Sequence, residues 1–232
     1  MRFVSQIFII LILWTVPIKL LAQTQLSDIS ITNNCTKKTC KYVKGYKKQG
    51  ISLFSELEAS LCDTASLNSY CVHVGKFYFD SSIDKVWENA LISNPIDIWT
   101  GKILSLSFIY DKNNDKLYFP SDLQKNSLNT DQIYFINLRL LKGIFNLPTA
   151  LKVTKIDEEH KIIEFTYLRG GKSEGKQLLQ FIAKSDNETE IIHTTYYQSG
   201  SRFRDRNLYP FFHQRAIAEL HSNVKKGAID IN

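Results

Sequence analysis

From Leu208 to Lys226 the apolar residues return every three or four positions. Tyr209, His213, Ala216, Ile217, Leu220 and Val224 fall on one stripe of a 3.6-residue helix, with Gln214, Arg215, Ser222, Lys225 and Lys226 opposite. The pattern predicts a long amphipathic helix with one buried face. Pro210 lies in its first turn, where a missing N–H costs little, and Gly227 is the expected stop. His213 is the odd member, a titratable ring in the middle of the apolar stripe.

Upstream the period changes. Ile103–Tyr110 alternates Leu104, Leu106, Phe108 and Tyr110 against Ser105 and Ser107, which predicts a strand with one buried face. Further strands are predicted at Leu117–Phe119, Gln132–Leu140, Ala150–Ile156, Lys161–Leu168, Lys176–Lys184 and Glu190–Gln198. Their separators are short and turn-rich, so neighbours should be antiparallel. Before them, Cys71–Phe79 reads as a strand. Ser81 and Asp84 suggest a capping box for a helix carrying Ile83, Val86, Trp87, Ala90 and Leu91, which Asn94-Pro95 ends. A second short helix is expected at Ile96–Trp99, turning at Gly101. Residues 23–70 are polar and lysine-rich, with one helical candidate, Ile51–Leu61, whose Leu53, Phe54, Leu57 and Leu61 share a face.

The first 22 residues differ again: Arg2, an apolar run through Ile18, and Leu20-Leu21-Ala22 before Gln23 make a secretory leader, expected to be cut after Ala22. An uncleaved N-terminal anchor is the alternative, and either way the remainder is exported, to the periplasm or the exterior. Removing Arg2 and Lys19 lowers the net charge from +6 to 27 − 23 = +4. Such mild basicity does not call for nucleic acid. The one cluster is Lys37, Lys38, Lys41, Lys44, Lys47 and Lys48, either a solvated flank or a weak contact for an anionic surface. Cys35, Cys40, Cys62 and Cys71 are an even set in an exported chain and suggest two disulfides; of three pairings, the local one, Cys35–Cys40 with Cys62–Cys71, is favoured. No C-x-x-C pair supports a thiolate metal site. Asn34 and Asn187 match the glycosylation pattern.

Strand, two helices, about six strands and a long last helix, with Ser81-Ser82-Ile83-Asp84-Lys85-Val86-Trp87 after the first strand, is an order that resembles the START-like, Bet v 1-like helix-grip superfamily over roughly residues 71–230. The resemblance implies an α+β fold in which a curved antiparallel sheet of six to seven strands grips the C-terminal helix around an apolar cavity. Its members carry lipids, sterols or other apolar ligands, and some are cyclases or related enzymes. The division expected is a leader (1–22), an N-terminal extension (23–70) and a helix-grip domain (71–232). The cysteine-bearing extension and the leader depart from the family pattern.

Strand parity then nominates the lining. Ile191, His193, Thr195 and Tyr197 should point inward from one strand, with Ile163, Phe165 and Tyr167, then Leu179, Phe181 and Ala183, then Tyr134, Ile136 and Leu138 from others. Tyr134, Tyr167, His193, Tyr197 and His213 are the candidate polar contacts to a ligand, with Ile217 and Leu220 from the helix. His193 and His213 could meet across the cavity and hold a proton near neutral pH, or be ordinary hydrogen-bonded core groups. His221 follows His213 by eight residues, roughly 12 Å at about 1.5 Å per residue, which argues against a shared metal. No H-E-x-x-H or G-x-S-x-G motif occurs, and no metal or cofactor is expected. The glycine-rich Gly170–Gly175 run lacks phosphate-loop spacing, and Asp111–Asp115 has Lys116 where a calcium loop needs glycine, so both read as hairpin turns. Arg202, Arg204 and Arg206 form either a solvated loop or a cationic mouth for an acidic head group. Three readings follow: an exported binding or carrier protein for an apolar or amphipathic molecule, a cyclase-like enzyme using a cavity histidine, or a structural envelope protein with a self-filled cavity.

Overall fold

The computed structural model describes residues 23–30, 35–61, 64–123 and 127–229, so the expected leader, Asn34 and Cys62 lie outside the described residues. Strands β1 (Cys71–Phe79), β2 (Leu106–Asp111), β3 (Lys116–Tyr118), β4 (Gln132–Leu140), β5 (Phe145–Asp157), β6 (Ile162–Tyr167), β7 (Ser173–Ser185) and β8 (Glu188–Ser199) form one antiparallel sheet. Its order is β1-β8-β7-β6-β5-β4-β2-β3, eight strands against the six to seven of the expected fold, with β1 returning to pair with β8 along its whole length. The sheet is curved and unclosed. Register shifts at Leu106/Phe108, Val153/Lys155 and Ala183/Ser185 are the local devices that bend it.

The bulge in β2 also corrects the one-faced reading of Ile103–Tyr110. The extra residue resets the parity: Leu106 and Ile109 join the inner core, whereas Phe108 and Tyr110 join a second core on the other face. All six residues of β2 are buried.

On the concave face lie α2 (Ile83–Ile92), α3 (Pro95–Trp99) and the long α4 (Tyr209–Ile229), preceded by a π-turn at Arg204–Leu208 that contains two of the three arginines expected in a loop. The N-cap of α2 is Ser82 rather than Ser81. Gly227 does not stop α4, which runs on past it. Polar side chains pin α4 in place: Asn89 donates to the Val224 carbonyl at 2.9 Å, and Asn223 donates to the carbonyls of Ile98 and Thr100. The Glu219 carboxylate accepts the backbone N–H groups of Lys102, Ile103 and Leu104 at 2.5, 2.7 and 2.7 Å. A Cβ at Gly101 would come within 2.5 Å of that carboxylate, so a larger residue there would displace Glu219.

The convex face is covered by the N-terminal segment. Its helix is not Ile51–Leu61 but α1 (Lys37–Lys47), capped by the Thr36 hydroxyl, which accepts from Thr39 N–H at 3.2 Å. Thr39, Cys40, Val43 and Tyr46 fall on its buried face, and Lys37, Lys38, Lys41, Lys44 and Lys47 face outward. Residues 51–61 form a single 3-10 turn, Phe54–Glu56, flanked by extended chain, since isolated bridges Gln25↔Leu53 and Ala59↔Leu168 satisfy its backbone instead. Phe54 is fully buried among Phe108, Tyr110 and Phe135. Cys35 and Cys40 are both buried free thiols, and Cys71 is free, so the expected Cys35–Cys40 bond is not formed in this structure. The two lie side by side because Cys35 ends the extended approach to α1 and Cys40 sits on its first turn; burial, then hydrogen bonding to Cys40, pushes the Cys35 thiol up. Asp111–Asp115 makes a hairpin turn, as expected, whereas only the first part of the Gly170–Gly175 run is turn, since Ser173, Glu174 and Gly175 already pair with β8 as the start of β7.

Candidate ligand cavity

Between the sheet and α4 lies a cavity of about 570 Å³, within the range of small-molecule sites. Its walls come from three directions. Strands β4 and β5 supply Ile136, Leu138, Leu140, Leu147 and Leu151; Trp99 and Leu104 close the far side; Tyr209, Phe212, Ala216, Ile217 and Leu220 line it from α4. The mouth is where lining residues become exposed, at Leu141, Phe145, Leu208 and Lys172. No carboxylate is among the described residues that line it.

One wall is polar. Tyr167, Gln177, Tyr209 and His213 reach the cavity. The Tyr167 and Tyr209 hydroxyls are hydrogen-bonded to each other, and Gln177 Nε2 donates to Tyr167 Oη at 2.9 Å. Behind Gln177 the chain of bonds continues into the core: Gln177 Oε1 to His193 Nε2 at 2.9 Å, and His193 Nδ1 to His221 Nε2 at 2.9 Å. The network assigns the tautomers. His193 donates from Nε2, so its Nδ1 accepts from His221, whose own Nδ1 is buried without a partner among the described residues. His213 bonds Thr195 Oγ1 at 3.3 Å and His73 Nδ1 at 3.2 Å. Four histidines thus pack between β1, β8 and α4, with the His193 ring centre 5.8 Å from His213 and 5.2 Å from His221.

Burial holds these rings neutral. It lowers His213 and His221 to about 3 and takes His193 well below the usual imidazole range, with His221 adding to the effect. His73 is lowered for the same reason. Burial also raises the Tyr167 phenol to about 12 and Tyr209 well above its ordinary value. The cavity wall therefore offers neutral donors and acceptors at physiological pH, in place of the expected proton held near neutrality.

Of the residues nominated by strand parity or helix stripe, Ile136, Leu138, Tyr167, His213, Ile217 and Leu220 line the cavity. Tyr134, His193 and Tyr197 do not, although all three face inward as expected. Tyr134 bonds Gln132 within the core, His193 is screened by Gln177, and Tyr197 is stacked under Tyr209 at 3.6 Å with its hydroxyl on the Asp205 carbonyl. Ala183, nominated with Leu179 and Phe181, is exposed at the end of β7. Gln177, His73 and His221 were missed. Gln177 shares the parity of Leu179 and Phe181, and His221 follows Ile217 by four residues, so both had a periodic signal.

No protein-family model matches the chain, and no curated protein matches it. Solved structures do. Norcoclaurine synthase from Thalictrum flavum, in complex with dopamine and hydroxybenzaldehyde, superimposes with a TM-score of 0.50 at 14% identity, over 76% of this chain and 98% of that one. A protein from Thermus thermophilus does so with a TM-score of 0.51 at 11% identity, over 70% and 99%. The chain has the Bet v 1-like helix-grip fold. Both neighbours are spanned almost end to end, while about a quarter of this chain or more is left over.

Proposed function

We propose that this is an exported binding or carrier protein for an apolar or amphipathic small molecule, held between the sheet and α4. The observation that carries the reading is the cavity itself. About 570 Å³ is left unfilled by the chain's own side chains, walled by aliphatic and aromatic groups, with one hydrogen-bonded polar wall and, among the described residues, no lining carboxylate. That composition favours binding over proton transfer, because the histidine at the wall is held neutral far from the working range of an acid or base. It also disfavours a purely structural role with a self-filled cavity. Affinity comes from burial, at about 25 cal/mol per Å² of apolar surface, with orientation from the Tyr167–Tyr209 pair, Gln177 and His213. The neighbour bound to dopamine and hydroxybenzaldehyde supports small-molecule use of this architecture.

Export belongs to the same proposal. Native mass spectrometry of protein recovered from the exported fraction tests both parts together. The expected species begins at Gln23 and carries a small molecule that is released on activation. A species retaining residues 1–22 refutes the processing, and a ligand-free species that takes up no added apolar compound refutes the carrier reading.

A further inference from the structure

Beside the cavity mouth is a second concavity, of about 340 Å³, between α1 and the β6–β7 turn. It shares the lining residues Tyr42, Asn146, Pro148 and Lys172 with the apolar cavity, so the two adjoin. Its character is opposite. Lys38, Lys41 and Lys172 line it, and among the described residues no carboxylate lines either chamber. Those three lysines are exposed and make no ion pair among the described residues. Arg204, at the border, reaches across to the Lys172 carbonyl at 2.8 Å. The floor is a hydrogen-bonded pair of hydroxyls, Tyr42 and Tyr46 at 2.7 Å, against which Gly171 packs so closely that a Cβ there would lie 3.3 and 3.4 Å from them.

Gly45 leaves the helix side of this space open. It lies in the interior of α1, where glycine costs about 1 kcal/mol relative to alanine. Packing does not require it, since a Cβ at Gly45 meets nothing within 4 Å. What a side chain there would enter is this concavity, which Gly45 lines.

We infer that α1 and the β6–β7 turn build an anion-binding vestibule on the apolar cavity, and that the ligand is an acidic amphiphile whose tail enters the cavity while its carboxylate or phosphate head rests among Lys38, Lys41 and Lys172. This rests on the carrier reading and narrows it to a ligand class. Lysine, as a flexible point charge, suits either head group.

The test is calorimetric titration of the full exported protein with decanoate, decyl phosphate, neutral decanol and inorganic phosphate, at low and high salt. The wild type should bind one or both acids about tenfold or more tightly than decanol, and high salt should shrink the difference. Gly45→Leu, which fills the vestibule and improves helix propensity, and the double change Lys38→Gln, Lys41→Gln should both erase the preference while decanol affinity stays. Equal binding of acids and decanol by the wild type, or a preference that survives in Gly45→Leu, overturns the vestibule and leaves the carrier reading intact. Phosphate binding as tightly as decyl phosphate overturns the joined site in favour of a separate anion site. Failure of all three ten-carbon compounds overturns both readings.

Discussion

Between pH 7 and pH 5 the protein should lose about 4 kcal/mol of stability through two histidines alone. His213 and His221 are held at about 3 in the folded chain, against about 6.5 when unfolded. Between those values the unfolded chain binds more protons, so stability is complete above about pH 6.5 and falls as pH drops toward 3. At pH 5 the gap of about 1.5 pH units below the unfolded value amounts to about 2 kcal/mol for each ring, at about 1.36 kcal/mol per unit. The geometry gives the same sign. A proton on His193 Nδ1 would face the N–H of His221, and a proton on His221 Nδ1 would be buried with no acceptor among the described residues. The surrounding titratable groups, His73, Tyr167, Tyr197 and Tyr209, offer no negative charge near neutrality. Denaturant midpoints at pH 7, 6 and 5 measure the effect, and replacing His221 by Leu should flatten the profile. Carboxylates contribute little over this window, since their losses begin only near about pH 5. A stability unchanged from pH 7 to pH 5 would show that the cluster is not buried and neutral as described.

Phe54→Ala should cost about 3–5 kcal/mol, the range for removing a fully buried aromatic ring. Phe54 comes from the N-terminal segment, yet its ring meets Phe108 and Phe135 edge-on at 6.0 and 5.8 Å and Tyr110 at 5.1 Å, all from the convex face of the sheet. Those aromatics would otherwise face water. The segment is therefore part of the folding unit, and urea unfolding should show one transition with a lower midpoint and an unchanged slope. If the sheet and α4 unfold at the wild-type midpoint in Phe54→Ala, the segment is a separable appendage.

The contrast between these two regions explains what could be read from the sequence. The stripe of α4 was legible because Ala216, Ile217, Leu220 and Val224 are apolar and strictly spaced, and the inward set of β8 because Ile191, His193, Thr195 and Tyr197 alternate without a bulge. The phase of β2 was not, because the bulge at Ser107 inverts parity in the middle of the strand, and Ser107 itself is buried against the Thr39 hydroxyl. Helix α1 escaped detection because two of its four buried positions are Thr39 and Cys40, and lysines dominate the remainder. Ile51–Leu61 has a helical spacing of apolar residues, but bridges to residues 25 and 168 draw its backbone into extended form. At the site, Tyr167, His213, Ile217 and Leu220 followed from period alone. Gln177 screens His193 from the cavity, and the stacking of Tyr209 on Tyr197 withdraws the latter; both are contacts between elements that no spacing within one element can show.

The carrier reading requires that the space beside α4 be the place a ligand occupies. Ala216 lines that space from the middle of the helix, so a tryptophan there would project into it and fill it from within. Titration of the wild type and Ala216→Trp with the neutral fluorophore N-phenyl-naphthylamine is the most direct measurement. The wild type should bind it saturably, and the variant, with an unfolding midpoint equal to or above the wild type's, should bind about tenfold more weakly or not at all. Identical titration curves for the two proteins would place the probe elsewhere and contradict the cavity as the binding site.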